Sequence, residues 1–190
     1  MGVTASRMLP LGTEAPEFEL PDTEGEMVSL GDLSDGRGLC VVFMCNHCPY
    51  VKHIQHLLAE VAGEYQEKEI RFVGINSNDI EAYPQDRPER MKEDKERFGY
   101  PFPYLYDESQ ETARAYRAAC TPDIYLFDDG LELVYRGQFD PSRPGRGETT
   151  GEDLVRALDA LLKGKRISEA DQRPSAGCNI KWKLGNAPPI

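Results

Sequence analysis

Two cysteines, Cys45 and Cys48, stand three residues apart in the segment CNHC, directly after the apolar run LCVVFM (39–44). A cysteine attacks as its thiolate, so a working redox pair needs something nearby that stabilises negative charge. The first turn of a helix supplies this through its free N–H groups and the positive end of its dipole. Three-residue spacing places two thiols on one face of such a turn, where they can close as a disulfide or open to attack another. His47, between them, adds positive charge, and a stabilised reduced form makes a disulfide a stronger oxidant. The helix start has two readings. With Cys45 as N-cap, Pro49 falls at the fourth helical position and removes the first hydrogen bond; with Asn46 as N-cap, Pro49 falls inside the tolerated first turn. In both, Cys45 is expected to be the more exposed nucleophile and Cys48 the partly buried resolving thiol.

Rival uses of the pair are weaker. As plain apolar residues, the cysteines would not require this strand–CxxC–helix setting. Read loosely, Cys45, Cys48, His53 and His56 resemble a zinc set. On one continuous helix, however, His56 lies about 16 Å along the axis from Cys45, too far for one tetrahedral ion with bonds near ~2 Å. No metal and no cofactor is expected, and His53 and His56 read as partly exposed helix residues.

The elements that must hold the pair can be read on either side of it. Residues 18–30 (FELPDTEGEMVSL) give two extended pieces around a Thr23-Glu24-Gly25 turn. Residues 39–44 suit a strand buried on both faces. Val51, Ile54, Leu58 and Val61 mark one apolar side of a following helix. RFVGIN (71–76) reads as a buried strand, 88–98 as a charged helix, 102–107 as a short strand and 109–119 as a helix. DIYLFD (123–128), an Asp129-Gly130 turn and LELVYRGQF (131–139) form a hairpin. Thr149 and Glu152 suggest a capping box for a last helix with Leu154, Leu158, Leu161 and Leu162 on its apolar side. Alternating strands and helices that end in a hairpin call for an α/β sandwich with a mixed sheet. Cys45 and Cys48 then lie at the carboxyl end of a strand, where ligand chemistry sits in such sheets.

The 190 residues suit one domain, 1–164, followed by a tail, 165–190, that packs on or near it. The net charge of −11 without a basic run disfavours nucleic acid and anionic membranes. No stretch approaches the roughly 20 apolar residues of a membrane span. The N-terminus lacks the apolar centre of a secretory signal, and the cytoplasm is the expected compartment. Five unevenly spaced cysteines do not form a secreted disulfide framework.

The pattern resembles the thioredoxin superfamily, nearest its redoxin branch, the AhpC/TSA or peroxiredoxin-like group. The similarity runs through LGTEAPEFELPDTEGEMVSLGDL, VVFMCNHCPYV, VGINSND, CTPDIYLFD and LVYRGQFD, and the tail GCNIKWK resembles that of a thioredoxin-like subgroup carrying CNHCPYV. The resemblance implies a thioredoxin fold with an N-terminal β-hairpin and a C-terminal extension. It also implies a cis Thr121-Pro122 bond opposite the cysteines, with the Thr121 backbone exposed to pair with a substrate chain by strand addition. Departures from the pattern are Met44, where thioredoxins carry tryptophan, and the lack of a carboxylate in the strand beneath the pair, so that another group or water must take that part. With Cys48 aligned to the peroxidatic cysteine, the positions that hold proline and threonine or serine in peroxiredoxins hold Val41 and Cys45.

Cys40 reads as a small hydrophobe in its strand. Cys120 is expected near the site, and Cys178 in a tail anchored by Ile180 and Trp182; both are candidates for additional redox thiols. Arg136, Arg143 and Arg146 read as solvated or salt-bridged. The function expected is thiol–disulfide oxidoreduction, with protein or small-molecule disulfides and thiols as partners and no particular oligomer implied. A thiol-dependent peroxidase and a redox-silent binding or metal-handling module are the alternatives.

Overall fold

Within LCVVFM, consecutive side chains go to opposite faces, as a strand requires. Cys40, Val42 and Met44 join one buried cluster and Leu39, Val41 and Phe43 the other. That run is the centre of the computed structural model, which describes residues 2–189. The strands are β1 (Val3–Ala5), β2 (Glu19–Pro21), β3 (Met27–Ser29), β4 (Gly38–Phe43), β5 (Ile70–Asn76), β6 (Tyr104–Tyr106), β7 (Cys120–Thr121), β8 (Asp123–Asp128), β9 (Leu133–Gly137) and β10 (Ala176–Asn179). The helices are α1 (Pro49–Gln66), α2 (Pro88–Phe98), α3 (Glu111–Ala115) and α4 (Glu152–Leu162).

The central sheet runs β6-β5-β4-β8-β9. β4, β5 and β6 are parallel neighbours, whereas β8 pairs antiparallel with β4 and β9. Helices α1, α2 and α4 cover the Cys40–Val42–Met44 face through Leu58, Met91 and Leu158. The N-terminal segment and α3 cover the other through Phe18, Leu30, Ala113 and Tyr116. This is the mixed sheet with helices on both faces, and β2–β3 is the expected hairpin.

Three local expectations change. The helix expected over 109–119 stops at Ala115, because Arg117 takes a left-handed φ of 54° and the Ala118 N–H turns back to the Ala113 carbonyl. No capping box opens α4. Its N-cap is Gly151 at φ 65°, where a Cβ would meet Phe139 at 2.9 Å, and the Asp140 carboxylate accepts the Thr150 and Gly151 N–H groups. Thr149 instead donates to the His53 carbonyl. The third change bears on the site: the tail supplies a strand, β10, lying between β1 and β7 in a second sheet.

Candidate active site

Cys45 and Cys48 lie just beyond the carboxyl end of β4, as the sheet order requires. Helix α1 starts later than either sequence reading allowed. Its N-cap is Cys48, with φ −68° and ψ 122°, and Pro49 takes the first helical position, where its missing N–H costs nothing. The free N–H groups of the first turn therefore face Cys48 more directly than Cys45. The expected difference in exposure is also absent: Cys45 is 2% exposed and Cys48 0%.

Cys45 Sγ lies 3.7 Å from Thr121 Oγ1 and 4.0 Å from His47 Nδ1. Cys48 Sγ lies 3.3 Å from the Thr121 carbonyl, which accepts its proton in the neutral state. Other neighbours favour charge. The Cys45 thiol hydrogen-bonds the Cys48 sulfur, against the cost of burial, and the Thr121 side chain, the Val51 N–H and the Cys178 thiol add to it. Together they bring Cys48 down to about 5. Burial, the proton shared with Cys48 and the nearby Asp86 charge push Cys45 well up. The two thiols titrate as a pair in which Cys48 is the more acidic sulfur.

His47 and Asn46 are held by a residue that sequence reasoning missed, Asp86. Its carboxylate is fully buried. It accepts the Asn46 N–H at 2.8 Å, the His47 N–H at 3.2 Å, His47 Nδ1 at 2.5 Å and Asn78 Nδ2 at 2.9 Å. Burial opposes its ionisation, but His47 and Asn78 outweigh burial and hold the carboxyl below its ordinary range. Asn46 is fixed further by the Gln85 carbonyl and the Tyr104 hydroxyl, and the His47 ring stacks on Tyr83 at 5.2 Å. The carboxylate that β4 does not supply thus reaches the CNHC loop from the segment before α2. Nothing in YPQDRP marks it in sequence, since the link is made only by the fold.

Cys45, His47 and Asp86 are also the one group of metal-type donors that converge among the described residues, within 4.8 Å of one another. An ion there would have to displace the His47–Asp86 hydrogen bond. His53 and His56 are engaged elsewhere, with Ser142 and Thr149 and with Phe98 respectively, and His53 is half-buried.

The Thr121-Pro122 bond is cis and faces the pair. The Thr121 backbone, expected to be exposed for a substrate strand, is not: Thr121 is 4% exposed and pairs with the protein's own β10, opposite Cys178. Gly177 makes the approach possible, since a Cβ there would lie 2.0 Å from the Thr121 carbonyl oxygen. Cys178 is buried in the same cluster as Cys45 and Cys48. Cys120 is 0% exposed, with Sγ 3.6 Å from the Pro122 carbonyl, and burial and the neighbouring Asp123 raise its pKa. Burial alone raises Cys40. Arg136 is buried and salt-bridged to Glu169, and Arg143 bonds Gln138. A cleft of about 960 Å³ among Leu11, Arg37, Asp128, Leu161 and Lys165 contains none of these groups. A cleft of about 820 Å³ borders Asn46 and His47.

A model of the AhpC/TSA family matches residues 11–136. The chain belongs to the AhpC/TSA family. A crystal structure of an uncharacterized conserved protein from Geobacillus kaustophilus is 53% identical, covering 97% of this chain and 98% of that one, with a TM-score of 0.94. The thioredoxin domain of a thiol-disulfide oxidoreductase from Bacteroides vulgatus superposes with a TM-score of 0.61 over 79% of this chain and 99% of that domain. At 20% identity, that likeness shows the thioredoxin fold. The thiol-disulfide oxidoreductase ResA of Halalkalibacterium halodurans is 28% identical over 65% of each protein. The AhpC/TSA chain is thus similar to ResA over somewhat less than two thirds of that relative's length.

Proposed function

We propose that this AhpC/TSA-family chain is a thiol–disulfide oxidoreductase that works through a Cys45–Cys48 dithiol/disulfide. The observation that carries the reading is the placement of two thiols at one helix start facing the cis Thr121-Pro122 bond: Cys48 is the N-cap with Sγ 3.3 Å from the Thr121 carbonyl, and Cys45 Sγ lies 3.7 Å from Thr121 Oγ1. Cys48 is lowered to about 5 there. Burial alone would have raised both thiols. The ResA relatives and thioredoxin-fold neighbours support the same chemistry.

In the reducing direction Cys45, deprotonated as its proton passes to Cys48, attacks one sulfur of a substrate disulfide. A Cys45–substrate mixed disulfide forms, and the other substrate sulfur leaves as a thiolate that takes up a proton. Cys48, which gives up its proton readily at the N-cap, then attacks Cys45 Sγ. The mixed disulfide breaks, the Cys45–Cys48 disulfide forms, and the reduced substrate departs. The oxidising direction is the reverse. His47 positions the loop through Asp86, and the Thr121 hydroxyl lies within reach of Cys45 Sγ. Substrates are protein or small-molecule disulfides and thiols, handled in the cytoplasm.

Reduction of a disulfide-linked peptide, with dithiothreitol as the electron source, tests this. Wild-type protein is expected to turn over, and pre-reduced Cys48→Ser, mixed with the peptide after the dithiothreitol is removed, to accumulate the peptide on Cys45. No turnover in wild type, together with no trapped adduct in Cys48→Ser, would overturn the reading.

A further inference from the structure

A free backbone edge beside a redox pair is where an extended chain would add as a strand, since its N–H and C=O groups are then satisfied by the ladder. In this protein that edge is Thr121, and the chain already on it is β10. The register puts Cys178 directly opposite Thr121, the residue whose carbonyl lies 3.3 Å from Cys48 Sγ. β10 contacts α1, whose N-cap is Cys48, and Cys178 shares a buried cluster with both redox cysteines. We propose that β10 is a built-in substrate strand and that Cys178 is a third exchange thiol, which takes the disulfide over from Cys45 as Cys48–Cys178.

The tail is seated for this. Gly177 gives the clearance that brings its backbone against Thr121, and β1 braces its other edge, Val3 opposite Cys178. Asn78 ties the tail to the loop that carries the pair: its side-chain carbonyl accepts the Lys181 N–H at 2.9 Å while its amide donates to Asp86 at 2.9 Å. The Asp79 N–H donates to the Lys181 carbonyl as well. Movement of the tail would therefore be felt at the carboxylate that positions His47.

The exchange balances without an outside reagent. Starting from the Cys45–Cys48 disulfide, the Cys178 thiolate attacks Cys48 Sγ. The Cys48–Cys178 bond forms, the Cys45–Cys48 bond breaks, and Cys45 leaves as a thiolate that takes up the proton Cys178 released. The oxidation level of the protein is unchanged; the disulfide has moved onto the tail and Cys45 is free. In the reduced protein, burial and the charge on Cys48 raise Cys178 to about 11, so it rests as a hydrogen-bond donor. With Cys48 in a disulfide that charge is gone.

The inference rests on the oxidoreductase reading of the pair, and one set of variants separates the two. Full-length Cys45→Ser, with Cys45→Ala as a second version, is incubated with glutathione disulfide, and its disulfides are mapped by mass spectrometry. The expected product is an intramolecular Cys48–Cys178 bond in both variants. Glutathione on Cys48, with Cys178 still free to alkylate after unfolding, would overturn the proposal. Cys178→Ser under the same conditions is expected to form Cys45–Cys48. If it does while the Cys45 variants form no Cys48–Cys178 bond, the third-thiol proposal fails and the reading of the pair stands. If Cys178→Ser never forms Cys45–Cys48, the reading of the pair fails.

Discussion

Cys40 and Cys48 lie eight residues apart, in β4 and just past its end, and neither side chain reaches solvent. Their chemistry is opposite. Burial pushes the Cys40 thiol far up, with nothing to offset it, whereas Cys48 falls to about 5. Depth therefore does not decide reactivity in this sheet. What differs is the supply of donors: the middle of a strand spends its N–H groups on neighbouring strands, while the start of a helix leaves them free. At Cys48 the Cys45 thiol, the Thr121 side chain, the Val51 N–H and the Cys178 thiol together outweigh burial and lower the thiol.

The contrast breaks most visibly when the sulfurs are removed. Cys48→Ser is expected to lower disulfide-reduction turnover by at least about a thousandfold, because a nucleophile pair acts as a unit. Cys40→Ser should leave turnover within about twofold and act on stability, since a hydroxyl buried without a partner costs ~1–3 kcal/mol. Steady-state rates and denaturant midpoints of both variants check this; a matching loss of activity in Cys40→Ser would erase the distinction.

Asp86 sharpens the comparison from the other side. Asp86→Ala leaves the Asn46 and His47 N–H groups and His47 Nδ1 without their acceptor, with an expected cost of about 3 kcal/mol for a buried charged partner. Its folded pKa lies below the unfolded value of about 3.9. Its stabilisation is accordingly complete above that value and is lost as the pH falls through the folded pKa. The stability gap between wild type and Asp86→Asn should therefore shrink as acid is added below about pH 4. A gap that is constant through the acid range would contradict a carboxylate held by His47 and Asn78.

A second pH dependence belongs to Cys48 itself. Its folded pKa of about 5 lies below the unfolded thiol value of about 8.5. The thiolate's contribution to stability is complete above about 8.5 and declines as the pH falls towards 5. Ultraviolet thiolate absorbance should show a step near pH 5 in wild type that is missing from Cys48→Ser and unchanged in Cys40→Ser. A single step near 8.5 in wild type would mean that the donors around Cys48 do not work as described.

Much of this arrangement was legible in local sequence. The CNHC segment, its place after a buried strand, the β2–β3 turn and helix 88–98 all follow from periodicity and turn chemistry within about a dozen residues. The cis Thr121-Pro122 bond was legible only through the family resemblance. The N-cap at Cys48 was missed because Asn46 looks like the better cap, yet its N–H and side chain are committed to Asp86, Gln85 and Tyr104. Asp86 and the β1–β10–β7 sheet depend on contacts made across about 40 residues and more. Gly177 and Cys178 carry no local sign that they will meet Thr121. Separations of that kind are set by packing, and single-sequence periodicity does not encode them.

All of this chemistry depends on a reversible Cys45–Cys48 couple. Equilibration of wild-type protein in glutathione buffers of graded redox ratio, followed by acid trapping and mass mapping of thiols, tests it most directly. The expected result is a Cys45–Cys48 disulfide that forms and reduces reversibly, with a midpoint in the range of about −270 to −120 mV spanned by thioredoxin and the strong oxidants, while Cys40 stays reduced throughout. A pair that never joins across that range would contradict it.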